Sequence, residues 1–297
     1  SAGIRIARVN WILDADIRSY FDRIDQSWLM RFLEHRIGDE RVLRLLRKWL
    51  TAGVLEDGLR TTSEIGTVQG GSISPLLANI YLHYVFDLWI RKWRKKKAHG
   101  EMIVVRFADD FIVGFQHQTD AEKFLAELRE RFAEFGLDLH PEKTRLIRFG
   151  RFAAQQRRER GEGKPETFNF LGLTHICGQT RQGKFTVIRH TMRTRFQAKL
   201  KAIKIELRRR MHWPVPEQGQ YLRSVALGHV RYYGVPMNGD CIRAFVRELA
   251  VLWWRILNRR SQKGFTSKDR MRRWWSRWLP PARVCHPYPL VRFGVVT

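Results

Sequence analysis

Residues 103–115 read IVVRFADDFIVGF and place two adjacent aspartates, Asp109 and Asp110, between two apolar runs. β-Branched and aromatic residues dominate both runs, so the stretch predicts a β-hairpin that carries the two carboxylates at its tip. Adjacent carboxylates repel each other, and we therefore expect a cationic group to compensate them. Ordinary turn chemistry is the competing interpretation, because aspartate tolerates turn geometry and bonds its own backbone.

The composition indicates a globular protein whose charge favours polyanions. Hydrophobic residues make up 44% of the 297 residues and aromatic residues 12%, enough to form a substantial core. Lys and Arg number 55 against 29 Asp and Glu, which gives a net charge of +26. Such a field attracts nucleic acid, and the alternative is a basic protein that merely stays in solution.

Neither a membrane span nor a cysteine-based site is expected. No run of about 18 uncharged apolar residues occurs, so we predict no association with a membrane. Cys177, Cys241 and Cys285 stand alone without paired spacing, which argues against a disulfide framework and against a zinc site. A reducing, cytoplasmic setting fits this cysteine usage best.

The first 189 residues alternate strand and helix patterns, which predicts an α+β fold. The expected elements, in chain order, are a strand over 9–17, helices over 26–37 and 40–52, an irregular hairpin over 54–68, a helix from about 74 to 96, the hairpin of 103–115, a helix over 120–135, a strand over 145–149, an exposed loop over 151–165, and strands over 167–176 and 184–189. Ser74 is predicted to cap its helix, with Pro75 at the first helical position. Apolar periodicity predicts four core positions in the first two helices: Leu33, Ile37, Leu45 and Trp49.

The composition changes after about residue 189, and we place a domain boundary there, between residues 1–189 and 190–297. The second part carries 23 Lys and Arg against 5 Asp and Glu, and it holds six of the 11 Trp. Helical patterns cover 193–211, 218–233, 241–260 and 267–278. Its densest basic clusters are predicted to bind nucleic acid, which the resemblance described below implies is RNA, each with a solvated helix face as the alternative: Arg208-Arg209-Arg210, Arg259-Arg260 and Arg272-Arg273.

Asp16 ends the first strand pattern, and it can join Asp109 and Asp110 if the two strands share a sheet edge. Three carboxylates in a basic protein suit Mg²⁺, which prefers hard oxygen ligands and substrate phosphates. Spacing alone does not show that these residues converge. Asp14, Asp22 and Asp25 are competing candidates, with exposed or helix-starting positions as their ordinary interpretation.

Five ordered motifs resemble those of bacterial group II intron reverse transcriptase/maturases. Residues 13–25 resemble the first catalytic motif, and residues 69–82 resemble the motif that precedes the catalytic hairpin. Residues 107–110, Phe-Ala-Asp-Asp, are similar to the family's aromatic-Ala-Asp-Asp signature. Residues 140–144 and 170–172 resemble the two motifs that follow it, and the order and spacing match over essentially the whole chain.

The resemblance implies a role for each matching position. Asp16, Asp109 and Asp110 would be the catalytic, metal-binding carboxylates. Phe21 would exclude the ribose 2′-hydroxyl, with a core phenylalanine as the alternative. Gln69 and Gly70 would lie along the template and incoming nucleotide, and Lys143 near the nucleotide phosphates unless it is a solvated loop lysine. Phe170, Leu171 and Gly172 would form the primer grip, although Phe168 and Phe170 share a strand face that is also typical of core.

The resemblance also implies an architecture and an activity. The expected fold is a right-hand polymerase palm, an antiparallel sheet with packed helices, followed by an all-helical thumb or maturase domain. The expected activity is RNA-directed DNA polymerisation with two Mg²⁺ ions, for which Mn²⁺ can substitute. The expected partners are a group II intron RNA, an RNA template with its DNA primer, deoxynucleoside triphosphates and a DNA target, to which the protein would travel in the nucleoid.

Two alternatives and one departure accompany this expectation. The alternatives are a non-catalytic RNA-binding maturase that assists splicing, and another bacterial reverse transcriptase of the retron or diversity-generating type. The departure is that Asp16, the aspartate of the first catalytic motif, is only the sixteenth residue of the sequence. The fingers motifs that precede it in the family are therefore expected to be missing, and activity is expected to depend on them.

Overall fold

The computed structural model divides into two compact units, which we call the N-terminal unit (residues 3–166) and the C-terminal unit (Thr167 onward). The C-terminal unit thus begins before residue 190 and includes three strands that precede its helices. The structure describes residues 3–4, 8–51, 54–56, 59–61, 66, 73–261 and 265–288.

A four-stranded antiparallel sheet forms the centre of the N-terminal unit. Its strands are β1 (Trp11–Ala15), β4 (Met102–Phe107), β5 (Asp110–Phe115) and β6 (Arg145–Arg148), in the order β4-β5-β1-β6. A separate two-stranded hairpin joins β2 (Val54–Glu56) to β3 (Leu59–Thr61). The hairpin predicted at residues 103–115 is confirmed as β4 and β5, and β1 lies beside β5 in the sheet.

The described part of the N-terminal unit also contains α-helices. They are α1 (Gln26–Glu34), α2 (Glu40–Thr51), α3 (Ser74–Leu82), α4 (Leu88–Lys96), α5 (Gln118–Ala133) and α6 (Ala153–Glu159). Phe111, Val113 and Phe115 project from alternate positions of β5 into the main core. There Phe86 lies 4.6 Å from Phe111 and Phe124 lies 5.2 Å from Phe115, measured between ring centroids. The opposite face of β5 carries Asp110 at its hairpin end and the buried Ile112 beyond it. That face is therefore polar only at the end near the hairpin tip, and we call this end the polar face.

A π-helical segment, His83–Asp87, joins α3 to α4, so the helix predicted from about 74 to 96 is one continuous run with a bulge in it. Wide turns of this kind shift side chains out of the regular helical register and often occur near functional sites. Two members of the segment, Val85 and Phe86, are fully buried, while Asp87 turns toward β4.

Three expectations for the N-terminal unit are wrong. Residues 153–159 form a helix within the segment predicted to be a loop, because its Gln, Arg and Glu residues are good helix formers that make no apolar stripe. Leu45 and Trp49 are each 44% exposed, because α2 buries the neighbouring stripe of Leu43, Leu46 and Leu50 instead. Ser74 is the first residue of α3, and the cap position belongs to Ile73. Leu33 is buried as predicted, and Ile37 is half-buried against the core.

The C-terminal unit combines a three-stranded sheet with four helices. Strands β7 (Phe168–Phe170), β8 (Leu173–Gln179) and β9 (Phe185–Thr191) pair antiparallel in chain order. The helices are α7 (Arg193–Arg209), α8 (Val215–Tyr233), α9 (Gly239–Leu257) and α10 (Lys268–Trp278). Leu222, Phe245, Leu249 and Trp253 are fully buried among these helices, so the four predicted helices are confirmed with ends shifted by a few residues.

Two buried amide side chains hold the C-terminal unit together. Gln218 donates from Nε2 to the carbonyl of Arg210, which lies at the end of α7, and accepts a bond from the indole of Trp253. Asn238 donates to Thr191 and to the carbonyl of Tyr233, and it accepts a bond from the Thr191 amide. Because a buried amide is costly without partners, these satisfied bonds fix the strand and helix ends that they connect.

Candidate active site

The tip of the β4–β5 hairpin is a two-residue turn made of Ala108 and Asp109. Phe107 pairs with Asp110 across the turn, and Ala108 adopts the left-handed region with φ 55°. A side chain is disfavoured in that region, so the turn needs contacts that hold it there. Asp109 is half-buried and Asp110 is exposed at the start of β5, so both predicted carboxylates belong to the hairpin tip.

Strand β1 brings two further carboxylates to the same side of the sheet. Asp14 pairs with Ile112 of β5, and continuing this register places Asp16 opposite Asp110. Side chains two residues apart on a strand share a face, so Asp14 and Asp16 project together while Leu13 and Ala15 enter the core. The structure therefore brings together residues that are far apart in sequence, and Asp14 joins the predicted group.

Two cations pair with the carboxylates of β1, next to the two aspartates for which the sequence predicted a compensating charge. The Lys143 ammonium lies 2.7 Å from Asp16 Oδ2, and the guanidinium of Arg145 on β6 lies 3.2 Å from Asp14 Oδ2. Lys143 is placed by its loop, since the amide of His140 donates to the carbonyl of Asp16. The hydrogen bond and charge of Asp16, together with the charge of Asp110, raise the pKa of Lys143.

The pKa of Asp14 responds to its burial, to Arg145 and to the same carboxylates. Burial raises the pKa of Asp14, Arg145 lowers it, and the negative charges of Asp110 and Asp16 raise it further. The register of β1 and β5 places the carboxylates of Asp14, Asp16 and Asp110 on one face, where like charges this near interact. Sequence reasoning ranked Asp14 below Asp16 and did not single out Arg145. A sequence signal existed for both residues. Asp14 alternates with the buried Leu13 and Ala15 on β1, and Arg145 is the residue of β6 that pairs with Asp14.

The other competing aspartates have ordinary positions. Asp25 caps α1, accepting bonds from the amides of Ser27 and Trp28, as expected for a helix-starting residue. Asp22 is exposed and ends a short 3-10 helix. Neither belongs to the polar face of the sheet that carries Asp16 and Asp110.

The donor chemistry of this face fits Mg²⁺. Within the described residues, no group of three or more His, Cys, Asp or Glu side chains is arranged as a preformed metal site. Mg²⁺ does not need such a cage, because it is usually held by one or two carboxylates together with substrate phosphates and water. Asp16 and Asp110 on adjacent strands, with Asp109 at the turn, supply that kind of oxygen donor.

The remaining candidates of the N-terminal unit are placed in part. Phe21 is half-buried and packs against the main core beside Tyr20, at a ring distance of 5.5 Å, so its role as a gate stays a prediction. Gly66, at φ 90°, packs so closely on the backbone of Phe21 and Asp22 that a Cβ would come within 3.0 Å of it. Gln69 and Gly70 lie outside the described residues.

The predicted primer grip is a tight turn in the C-terminal unit. Leu171 and Gly172 both have positive φ, 50° and 74°, and join β7 to β8. The Tyr232 hydroxyl donates to the Leu171 carbonyl, and a Cβ at Gly172 would lie 2.7 Å from the Tyr233 hydroxyl. The turn is thus held by the end of α8. Phe168 is buried and Phe170 is half-buried, which supports a packing role for the first of these two rings.

The basic clusters of the C-terminal unit divide into exposed and internally bonded arginines. Arg210 lies 2.5 Å from Glu206 and over the rings of Trp213 and Tyr221, and Arg260 donates to the carbonyls of Met211 and Trp213. Both side chains are held within the unit. The members that remain exposed at the surface are Arg208, Arg209, Arg259, Arg272 and Arg273.

Comparison with known proteins identifies the family. Residues 4–175 match the model of the reverse transcriptase (RNA-dependent DNA polymerase) family, which is more than half of the chain. This chain belongs to the reverse transcriptase family. The match includes the whole of the sheet that carries Asp16, Asp109 and Asp110.

Curated relatives of this reverse transcriptase include intron-encoded proteins. The group II intron-encoded protein LtrA of Lactococcus lactis is 44% identical over 73 residues, covering 25% of this chain and 12% of the relative. Protein YkfC of Escherichia coli is 33% identical over 144 residues, covering 38% of this chain and 37% of the relative. A 91 kDa protein in the cob intron of Schizosaccharomyces pombe is 28% identical over 187 residues, covering 23% of that relative. The chain thus spans well under half the length of each.

Among solved structures, the apo telomerase of Candida tropicalis is similar at 13% identity and a TM-score of 0.48, over 90% of this chain and 44% of the telomerase chain.

Of the helices that the structure describes, none is both long enough and apolar enough to cross a membrane.

Proposed function

We propose that this reverse transcriptase is an RNA-directed DNA polymerase of group II intron type, which extends a DNA primer on an RNA template. The observation that carries the proposal is the convergence of the carboxylates on β1 and at the β4–β5 hairpin in a chain of this family. The relatives encoded in introns favour a group II intron RNA as template and partner.

Three carboxylates would hold the metal ions. Asp16, Asp109 and Asp110 would bind two Mg²⁺ ions, for which Mn²⁺ can substitute. When bound, the ions activate the primer 3′-hydroxyl and stabilise the leaving oxygen of an in-line phosphoryl transfer. Repulsion between these carboxylates and nucleic-acid phosphates is unfavourable for a protein that only binds RNA, which supports a catalytic use.

Other side chains of the N-terminal unit would bind the nucleotide. Lys143 lies at the edge of the carboxylate cluster on an exposed loop, so its ammonium can turn from Asp16 toward the triphosphate of a deoxynucleotide. Phe21 would exclude a ribose 2′-hydroxyl by its bulk, and Gln69 and Gly70 would follow the template. In this scheme the N-terminal unit acts as the palm, and the C-terminal unit carries the primer grip at Phe170, Leu171 and Gly172.

The C-terminal unit would bind intron RNA and assist splicing during intron mobility. Its exposed arginines can neutralise phosphates, and residues 190–297 carry 23 Lys and Arg against 5 Asp and Glu. We place the protein in the bacterial cytoplasm, and at the nucleoid when it meets a DNA target. Because the same basic surface would serve a maturase without polymerase activity, that protein is the second candidate.

Primer extension with the Asp109→Asn variant tests the proposal. A protein that carries the family's fingers motifs ahead of this sequence is expected to extend a DNA primer on RNA with Mg²⁺ and deoxynucleoside triphosphates. Asp109→Asn is expected to lower kcat about 1,000-fold, since several kcal/mol of charge stabilisation are lost and each 1.4 kcal/mol is tenfold. Asp25→Asn is the matched control, because asparagine also caps helices.

The outcomes separate the candidates. Loss of extension in Asp109→Asn, with activity retained in Asp25→Asn, supports the polymerase. Extension that survives Asp109→Asn contradicts the assigned site. A wild-type chain that binds intron RNA but extends no primer identifies the non-catalytic maturase instead.

A further inference from the structure

Arg106, three residues before Asp109 on β4, donates to the Ala108–Asp109 turn, which we call the catalytic turn. Its Nε and Nη2 atoms donate to the two carboxylate oxygens of Asp87 at 2.8 and 2.6 Å. Its Nη1 atom donates to Asn79 Oδ1 at 2.9 Å and to the carbonyl oxygen of Ala108 at 2.8 Å. One guanidinium therefore bonds α3, the π-helical segment and the hairpin turn.

The bond to Ala108 bears directly on Asp109. The Ala108 carbonyl belongs to the peptide group that leads into Asp109, so its orientation determines where the Asp109 backbone points. Ala108 itself lies in the left-handed region, which an alanine adopts only when its surroundings hold it. Arg106 supplies a charged donor at that carbonyl, and charge-assisted bonds are stronger than neutral ones.

Arg106 is itself held firmly enough to act as a support. Only 15% of its side chain is exposed, and its bidentate pair with Asp87 fixes the plane of the guanidinium. Asn79 donates from Nδ2 to the carbonyl of Pro75, which orients its oxygen toward Arg106.

We propose that Arg106 is the positioning residue of the catalytic turn: anchored to Asp87 and Asn79, it holds the Ala108 carbonyl and thereby sets the place of the Asp109 carboxylate for metal binding. The inference rests on the proposed polymerase function. It assigns a task to Arg106, Asp87 and the π-helical segment that carries Asp87. A lysine cannot replace the arginine, because one ammonium does not reach a bidentate carboxylate and a turn carbonyl together.

The test compares the wild type with Arg106→Gln, Arg106→Lys and Asn79→Ala. Primer extension gives kcat and the KM for deoxynucleotide, electron paramagnetic resonance titration gives the affinity for Mn²⁺, and circular dichroism gives the Tm. Arg157→Gln is the matched control. That arginine is similarly shielded, at 21% side-chain exposure, and pairs with Glu162 and Glu166 away from the turn.

We expect Arg106→Gln to weaken Mn²⁺ binding about 10- to 100-fold, as loss of a residue that orients a metal ligand commonly does. The kcat is expected to fall by about 100-fold with little change in KM, since displacing a reacting group by about 1 Å has an effect of that size. Arg106→Lys should recover the Tm but not kcat, and Asn79→Ala should fold normally with a smaller loss. Arg157→Gln should change the Tm alone.

The proposal is overturned if Arg106→Gln or Asn79→Ala changes only the Tm, as Arg157→Gln does, or if Arg106→Lys restores kcat and Mn²⁺ affinity. Failure of the proposed function looks different, because extension would then survive Asp109→Asn or be absent from the wild type itself. If Arg106→Gln does not fold, the Mn²⁺ affinity and kcat of Asn79→Ala and Arg106→Lys decide between the two outcomes.

Discussion

The two units of this reverse transcriptase use positive charge in different ways. Residues 1–166 carry 29 Lys and Arg against 24 Asp and Glu, whereas residues 167–297 carry 26 against 5. On the polar face of the N-terminal sheet, cations meet carboxylates, as Lys143 meets Asp16 and Arg145 meets Asp14. In the C-terminal unit acidic residues are scarce, so most of the described arginine side chains contact backbone carbonyls, aromatic rings or solvent instead of carboxylates.

This contrast shows which basic residues are available to a polyanion. Arg210 and Arg260 are bonded within the C-terminal unit, although they lie in the clusters that a count of charges selects. Arg208 and Arg209 stand exposed on the same helix end, with Arg209 3.5 Å from Glu206 and 73% exposed. Charge density locates a nucleic-acid surface, but the internal partners decide which side chains form it.

The largest effect is expected from the carboxylates of β1. Asp16→Asn should lower the kcat of primer extension about 1,000-fold, because it removes a metal ligand worth several kcal/mol. Asp14→Asn changes the neighbouring carboxylate on the same strand face and should lower kcat much less, since its main partner is Arg145. Measuring both variants under single-turnover conditions checks the ranking, and equal losses would extend the metal site to Asp14.

The exposed arginines should give the next largest effect. Arg208→Gln combined with Arg209→Gln removes two phosphate contacts, and RNA binding is expected to weaken by roughly ten- to hundred-fold at about 0.1 M salt. The slope of log K against log salt should become shallower by about 2. Filter binding over a series of salt concentrations measures both quantities.

Arg210→Gln provides the matched comparison on the same helix. Because its guanidinium bonds Glu206 and stacks on two rings, the change should lower the free energy of unfolding by about 1.5–3 kcal/mol. The salt slope of RNA binding should stay as in the wild type. A shallower slope for Arg210→Gln, or an unchanged slope for the Arg208/Arg209 variant, would reverse the assignment of exposed and internal arginines.

The smallest expected effect is a loss of folding stability of the C-terminal unit at acidic pH. Burial, with a contribution from Lys199, lowers the pKa of His229 to about 4. The unfolded chain, with an ordinary histidine pKa of 6.5, therefore takes up the proton first as pH falls, and stability is lost between pH 6.5 and 4. At pH 5 the loss from this one group is about 2 kcal/mol.

His229→Phe removes that titration and keeps a ring on Phe245, which His229 stacks upon. Urea unfolding at pH 7 and pH 5 should then show a smaller acid loss than in the wild type. Exposed His212 is the control position, and His212→Gln should behave as the wild type. An acid loss that persists in His229→Phe would assign it to other groups.

Much of the fold and of the candidate site could be predicted because local patterns were strong. The hairpin of β4 and β5 followed from two β-favouring runs around Asp109 and Asp110, and the four C-terminal helices followed from their periodicity. The convergence of Asp16 with Asp110 could not be seen in spacing alone, since it depends on β1 lying beside β5 in the sheet.

The remaining differences arise where local sequence supports two answers. Helix α2 has two apolar stripes with the same spacing, Leu43-Leu46-Leu50 and Val42-Leu45-Trp49, and only tertiary packing decides which is buried. Arg106 looks like one more basic residue in a basic protein. Its role depends on Asp87 and Asn79, whose approach to the hairpin turn is a property of the folded chain.

One crossed measurement tests most directly the claim that catalysis and RNA binding reside in different units. Primer extension and intron RNA affinity would be measured side by side for Asp16→Asn and for the Arg208→Gln, Arg209→Gln variant. We predict that Asp16→Asn loses extension and keeps the Kd and salt slope of the wild type, whereas the arginine variant binds RNA more weakly and recovers its kcat at saturating RNA. An Asp16→Asn variant that extends primers normally, or an arginine variant whose RNA affinity and salt slope are unchanged, would contradict this division.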